Sequence, residues 1–232
     1  MKITVVNGTP FKGVTYHMKE MFLDQMRDGN EIVEFYPADM PAFCVGCKNC
    51  FFRGEQFCPH ASKTMPVWEA MLESDLLVFA YPVYALRAPA SIKSLLDHLC
   101  VHWMVHRPDA RMFSKTAVIL TNSVGAPNGA AQKDVTTSLS WMGVSSVYSC
   151  GAGMMGDILW DQISDKHVEM LKRKTARLYE RVRDLKPRRH RKLRERAEFL
   201  LCKKMHQMVL KGEETPSLDN QHYIERGWIK SR

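Results

Sequence analysis

The run Leu76-Leu-Val-Phe-Ala80 is apolar at every position and lies between Ser74-Asp75 and Tyr81-Pro82. A strand with one wet face alternates apolar and polar residues. A continuously apolar one is covered on both faces, as in the centre of a parallel sheet with helices above and below. Four further segments read as strands: Ile3–Val6, Glu31–Phe35, Ala117–Leu120 and a stretch around Val144–Tyr148. Helical stripes fall between them. They are Met18, Phe22 and Met26 within Thr15–Arg27, then Met65, Trp68, Met71 and Leu72 within Met65–Glu73. Ile92, Leu95, Leu96, Leu99 and Trp103 follow Pro89, and Val135, Leu139 and Met142 form the next stripe. A long helix over Asp161–Leu185 carries Leu171, Thr175, Leu178, Val182 and Leu185. Five strands alternating with helices imply a doubly wound α/β sheet.

In such sheets ligands bind beyond the carboxyl ends of the strands. Three polar or proline-containing loops fall there: Asn7–Thr15, Tyr81–Ala85 and Thr121–Gly125, with Gly129 further on. The first, Asn-Gly-Thr-Pro-Phe-Lys-Gly-Val-Thr, joins a strand to a helix and so offers free backbone N–H groups and a positive dipole end. Thr9 and Thr15 add hydroxyls and Lys12 a charge, a set suited to a phosphate. The alternative is a tight turn with a hydroxylated helix cap.

The chain of 232 residues carries a net charge of +8, very unevenly spread. Residues 186–232 hold 13 Lys/Arg and 6 Asp/Glu, or +7, which leaves residues 1–185 at +1. Nucleic acid is therefore not an expected partner of the main body. No apolar run reaches the length of a membrane span, and the opening strand leaves no room for a signal peptide, so the expected location is cytoplasmic. Four of the seven cysteines lie within Cys44–Cys58, while Cys100, Cys150 and Cys202 are scattered. An odd count with one tight cluster argues against a secreted disulfide framework and for metal binding or redox chemistry.

Three pieces resemble the flavodoxin-like NAD(P)H-dependent FMN reductases, and within them the iron–sulfur flavoprotein branch. They are Gly8-Thr-Pro-Phe-Lys-Gly-Val-Thr15, Cys44-Val-Gly-Cys47-Lys-Asn-Cys50, and Pro82-Val-Tyr84 followed by Pro89-Ala-Ser-Ile-Lys-Ser-Leu-Leu-Asp97. The resemblance spans roughly residues 1–185. It implies a flavodoxin-like five-stranded parallel sheet in the order 2-1-3-4-5, with residues 186–232 as a basic helical C-terminal extension. It also implies FMN, with NAD(P)H or a protein as donor and a small molecule as acceptor, in a homo-oligomer. By motif match Thr9, Lys12, Gly13, Val14 and Thr15 would hold the FMN phosphate. Pro82, Val83, Tyr84 and Ala85 would flank its ring, with Asn122, Ser123 and Gly125 contributing from the fourth strand. Val14 departs from the family, which often has Asn there, and can offer its backbone N–H alone.

Cys44, Cys47, Cys50 and Cys58 are spaced C-x2-C-x2-C-x7-C, with Pro59 after the last. Three thiolates at that spacing wrap one corner of a [4Fe–4S] cluster and a fourth closes it. Zinc usually takes two separated C-x2-C pairs, a pattern this is not. Free thiols on a loop are the third reading. With a cluster, the function shifts from hydride handling toward electron transfer.

Elsewhere the sequence speaks for structure. His60 reads as a solvated loop residue, and His98, His102 and His106, at i, i+4 and i+8, as a solvent-facing or interface stripe. The basic run Lys186–Arg196 leads into a helix with Leu193, Ala197, Leu200, Leu201, Met205, Met208 and Val209 on one face. A membrane-surface helix, a nucleic-acid arm and a docked helix are its readings. The closing Tyr223–Ile229 resembles the aromatic C-terminal segment of the same branch and favours docking, most simply within an oligomer.

Overall fold

The computed structural model describes residues 1–154, 159–184 and 193–231. Residues 76–81 are all buried. They belong to β3, Leu76–Pro82, the middle strand of a five-stranded sheet. Its neighbours are β1 (Lys2–Asn7) and β4 (Thr116–Ser123), flanked by β2 (Glu31–Phe35) and β5 (Ser146–Gly153). The order is β2-β1-β3-β4-β5, and every pair is parallel. Because side chains alternate along a strand, β3 feeds two cores. Leu77, Phe79 and Tyr81 join one, and Leu76, Val78 and Ala80 the other.

Each face takes its own helices. Met18 and Phe22 of α1 (Val14–Leu23) and Leu171 and Leu178 of α6 (Asp165–Glu180) cover the Val78 face. The Phe79 face lies under α3 (Ala61–Glu73), α4 (Ala90–Leu99) and α5 (Gly129–Trp141). One short helix, α2 (Asn49–Phe52), sits inside the cysteine-bearing segment.

Several boundaries differ from the sequence reading. The third helix begins at Ala61, not Met65, and tolerates Pro66 inside it. The fifth strand runs to Gly153 and starts at Ser146, because Val144 and Ser145 are still in the turn, bonded to Leu139 and the Lys115 carbonyl. Gly151 pairs with Thr121 within this strand, and a Cβ there would lie 2.9 Å from Cβ of Asn128, which favours glycine at the position. The long helix starts at Asp165, after a single turn over Trp160–Gln162. Its expected end at Leu185 and the basic run through residue 192 lie outside the described residues.

The C-terminal segment docks on its own chain, through a different face than expected. In α7 (Leu193–Gly212) the buried residues include Phe199, Cys202, His206 and Leu210, while Leu193, Leu200, Leu201, Met208 and Val209 are exposed. With Tyr223 of α8 (Leu218–Glu225) and Ile229, Phe199 and Leu210 form a third core against Met104 and Phe113. No described helix is long and apolar enough to cross a membrane.

The histidine stripe is also corrected. The fourth helix stops at Leu99, so His98, His102 and His106 do not share one helix face. His98 and His102 are buried. His98 Nδ1 donates to the Ser94 carbonyl at 2.8 Å, which leaves its Nε2 to accept from His60 Nδ1 at 3.0 Å. His102 stacks on Trp68 at 3.9 Å, and burial pushes its pKa down to about 4. His60 is thus a partner of a buried histidine rather than a free loop residue.

Candidate functional site

The β1–α1 loop is fixed by backbone. Gly8 N donates to the Ala80 carbonyl at 2.8 Å and the Gly8 carbonyl accepts from Ser91 Oγ at 3.0 Å. A Cβ on Gly8 would stand 2.4 Å from Cβ of Tyr81, so no other residue fits this crossing. Thr9 Oγ1 accepts from Phe11 N at 3.1 Å and closes the turn. Lys12 is exposed, 5.5 Å from the centre of the Tyr16 ring.

The helix that follows starts uncapped. Gly13 is its N-cap, no side chain caps it, and its first turn holds no acidic residue. The leading N–H groups of such a helix have no intrahelical acceptor, and its dipole leaves a fractional positive charge there. Beneath this end, Glu34 Oε2 accepts from Asn7 Nδ2 at 3.0 Å and from Lys19 Nζ at 2.6 Å. Burial alone would raise the Glu34 pKa, but Lys19 and Asn7 hold it below the usual carboxylate range. Lys19 is fully buried, and its carboxylate partners Glu20 and Glu34 keep it charged. The anchor ties α1 to the ends of β1 and β2.

The other two loops reach the same edge. Asn122 pairs with Pro82 in register, and its carbonyl accepts from Val83 N at 2.7 Å. Tyr84 and Arg87 exchange backbone hydrogen bonds of 3.0 and 2.9 Å around Ala85 and Leu86, at φ 48° and 65°. Two consecutive non-glycine residues in the left-handed region store backbone strain at this turn. Asp134 holds it, accepting from Arg87 Nε at 3.0 Å and Ala88 N at 3.1 Å. Ser123 Oγ donates to the Ala126 carbonyl, and Gly125 has φ 75°. Asn122 Oδ1 is buried with no hydrogen-bond partner among the described residues, as is Asn128 Oδ1.

The residues expected around FMN therefore lie at one edge of the sheet: Thr9, Lys12 and Gly13 on the first loop with Val14 and Thr15 opening α1, Pro82–Ala85 at and beyond the end of β3, and Asn122, Ser123 and Gly125 at and beyond the end of β4. Two of the side chains are turned to internal work, since Thr9 and Ser123 stabilise their own turns. Val14 is buried among the residues of the Val78 face, which explains an apolar residue there. Sequence reasoning missed Ser91 and Asn128; a serine two residues after Pro89 and an asparagine before Gly129 are weak signals by themselves. The edge fits an anion with a flat, hydrogen-bonding group. It offers an open helix start, an orphaned buried acceptor at Asn122 Oδ1, and exposed Phe11, Tyr84, Leu86 and Val124 as apolar surface.

The cysteine segment is different. Cys44, Cys47, Cys50 and Cys58 line one cavity of about 80 Å³, and Cys100, just past α4, lines it too. Cys44 and Cys47 are exposed, whereas Cys50 and Cys58 are half-buried. Lys48, at φ 59°, turns the chain between these two pairs of environments. Burial, with the neighbouring Cys58, pushes the Cys50 thiol up, and burial with Cys50 and Cys44 nearby pushes Cys100 up to about 11. Among the described residues, no three His, Cys, Asp or Glu side chains are arranged to hold a metal ion. The four thiols share a cavity without forming a metal-ligand group, so their arrangement does not bear out a [4Fe–4S] or zinc centre.

A parallel sheet in the order 2-1-3-4-5 with helices on both faces defines the flavodoxin-like fold. Residues 1–153 match the NADPH-dependent FMN reductase family, and the chain belongs to it. It is 25% identical over 174 residues to an iron-sulfur flavoprotein of Methanosarcina thermophila, covering 73% of this chain and 88% of that protein. An iron-sulfur flavoprotein of Archaeoglobus fulgidus is 25% identical over 190 residues, 81% of this chain and 84% of that one. Among solved structures, the NAD(P)H:quinone oxidoreductase from Methanothermobacter marburgensis superposes with a TM-score of 0.60 at 16% identity, over 76% of this chain and 94% of that one. An azoreductase from Bacillus anthracis gives 0.56 at 17% identity, over 78% and 97%. The chain is an NAD(P)H-dependent FMN oxidoreductase by family.

Proposed function

We propose that this protein passes hydride or electrons from NAD(P)H, or from a protein donor, through bound FMN to a small acceptor. The observation that carries the reading is the uncapped start of α1 at the same sheet edge as the orphaned Asn122 Oδ1. When bound, FMN supplies a ring that accepts a hydride or single electrons and gives them up again. The N–H groups of Gly13, Val14 and Thr15, with the Lys12 charge, would hold the phosphate. Pro82, Val83, Tyr84 and Ala85 would flank the ring, and Asn122, Ser123 and Gly125 would contribute from the end of β4. Asp134, through Arg87 and Ala88 N, keeps the strained Tyr84–Arg87 turn in place. A second copy of the chain is the proposed cover for the exposed apolar rim. The test is purification followed by anaerobic addition of NADH or NADPH: bound flavin should bleach with one of them.

A second reading is an electron-transfer flavoprotein with a [4Fe–4S] centre on Cys44, Cys47, Cys50 and Cys58. The single cavity these thiols share supports it, as do the names of the two archaeal relatives. Because the thiols as arranged form no metal-ligand group, no electron step is routed through them. Iron and acid-labile sulfide assays on anaerobically purified protein decide it.

A further inference from the structure

The cysteine segment is tied to the far end of the chain through one buried side chain. Arg107 is 7% exposed and has three partners. Its Nε donates to Glu55 Oε1 at 3.0 Å, one terminal nitrogen donates to the Cys50 carbonyl, and the other to Asp219 Oδ1. Asp219, in the first turn of α8, uses its other oxygen to accept from His106 Nδ1 at 2.8 Å. Phe51, next to Cys50, meets the His106 ring edge-on at 4.7 Å. Cys50 and Phe51 belong to α2, a helix of one turn too short to hold itself. Arg107 therefore supplies an acceptor-side cap to this turn and a bridge to α8.

We propose that α8 is a latch on the cysteine-bearing segment, with Asp219 and Arg107 as its positioning residues. The fork of Arg107 requires both carboxylates. Glu55 comes from the segment being held, and Asp219 from the element that holds it. With the latch closed, Cys50 and Cys58 stay half-buried in their shared cavity; with it open, the 49–58 segment is restrained from β2 and α3 alone. The C-terminal helices thereby act on the redox-capable part of the molecule without reaching the phosphate edge. The proposal concerns the polypeptide and does not depend on iron or FMN.

Amide hydrogen exchange on the full-length protein as purified tests it. Asp219→Asn, which keeps shape and removes charge, should speed exchange of the Phe51–Arg53 amides about tenfold or more, because a charged hydrogen bond to a buried guanidinium is lost. Asp219→Glu should return most of that protection. Coupling free energy is reciprocal, so Glu55→Gln should speed exchange in α8. The β3 amides, which report global unfolding, should lose no more protection than the Phe51–Arg53 amides in the Asp219 variants. The latch is contradicted if the Phe51–Arg53 amides are unprotected in the parent protein, or if Asp219→Asn leaves their exchange unaltered. A loss in β3 larger than that in α2, or no rescue by Glu, would contradict it as well.

Discussion

The β1–α1 loop, proposed to hold phosphate, and the cysteine segment after β2 are held by opposite means. The first spans a few residues between β1 and α1, and the sheet and helix beside it fix its backbone through Gly8, Ala80 and Ser91. The second runs from the end of β2 to α3. Its inner turn depends on Arg107, Glu55 and Asp219, side chains from distant parts of the chain. A loop built from backbone contacts tolerates side-chain change as long as the crossing at Gly8 survives. A segment built from side-chain contacts can be released by one substitution.

The comparison can be broken at either end. Arg107→Ala should have the largest effect, about 3–5 kcal/mol of stability by denaturant titration, since it strands two carboxylates and the Cys50 carbonyl. FMN affinity in the surviving folded fraction should stay within about threefold. Gly8→Ala should cost about 3 kcal/mol and abolish FMN retention, because its Cβ would collide with Tyr81 and displace the loop. Val14→Asn, which installs the residue common in the family, should cost about 2 kcal/mol by burying an amide among apolar neighbours. Thr15→Val should weaken FMN binding about tenfold in an equilibrium titration while leaving the melting temperature nearly unchanged. If instead it leaves binding intact, the phosphate is held by backbone alone.

Acid should reach the second region first. His102, stacked on Trp68 beside the cysteine segment, is held neutral by burial down to about pH 4. The unfolded chain takes up that proton in the ordinary histidine range. Its contribution is therefore complete above that range and is lost as pH falls toward about 4, about 3 kcal/mol over the window. Glu34 acts later, because its folded-state value lies below the usual carboxylate range and its contribution fails as pH falls through that value. Chemical denaturation at stepped pH, with His102→Gln as control, separates the two.

The sheet was legible because its strands are continuous apolar runs, and parallel burial leaves few other patterns for Leu76–Ala80. That the three candidate loops meet at one edge followed from topology, since the ends of parallel strands share one side. What failed was choosing among apolar faces. In the C-terminal helix the most hydrophobic stripe, Leu200, Leu201, Met208 and Val209, is exposed, while Phe199, Cys202 and His206 dock. Which face docks is decided by the partner surface of Met104 and Phe113, and that is not written in the helix itself. The histidines misled for a related reason, because helical spacing was extended past Leu99, where the helix ends. The cysteine spacing described a possible ligand set, but spacing carries no information on where Lys48 turns the chain.

Bound flavin tests the central claim most directly. Protein purified anaerobically, stripped of any flavin and titrated with FMN should bind it at one per chain, and NADH or NADPH should then bleach the bound flavin. Protein that leaves added FMN in the filtrate, with native secondary structure intact, would contradict the assignment of the β1–α1 edge as a cofactor site.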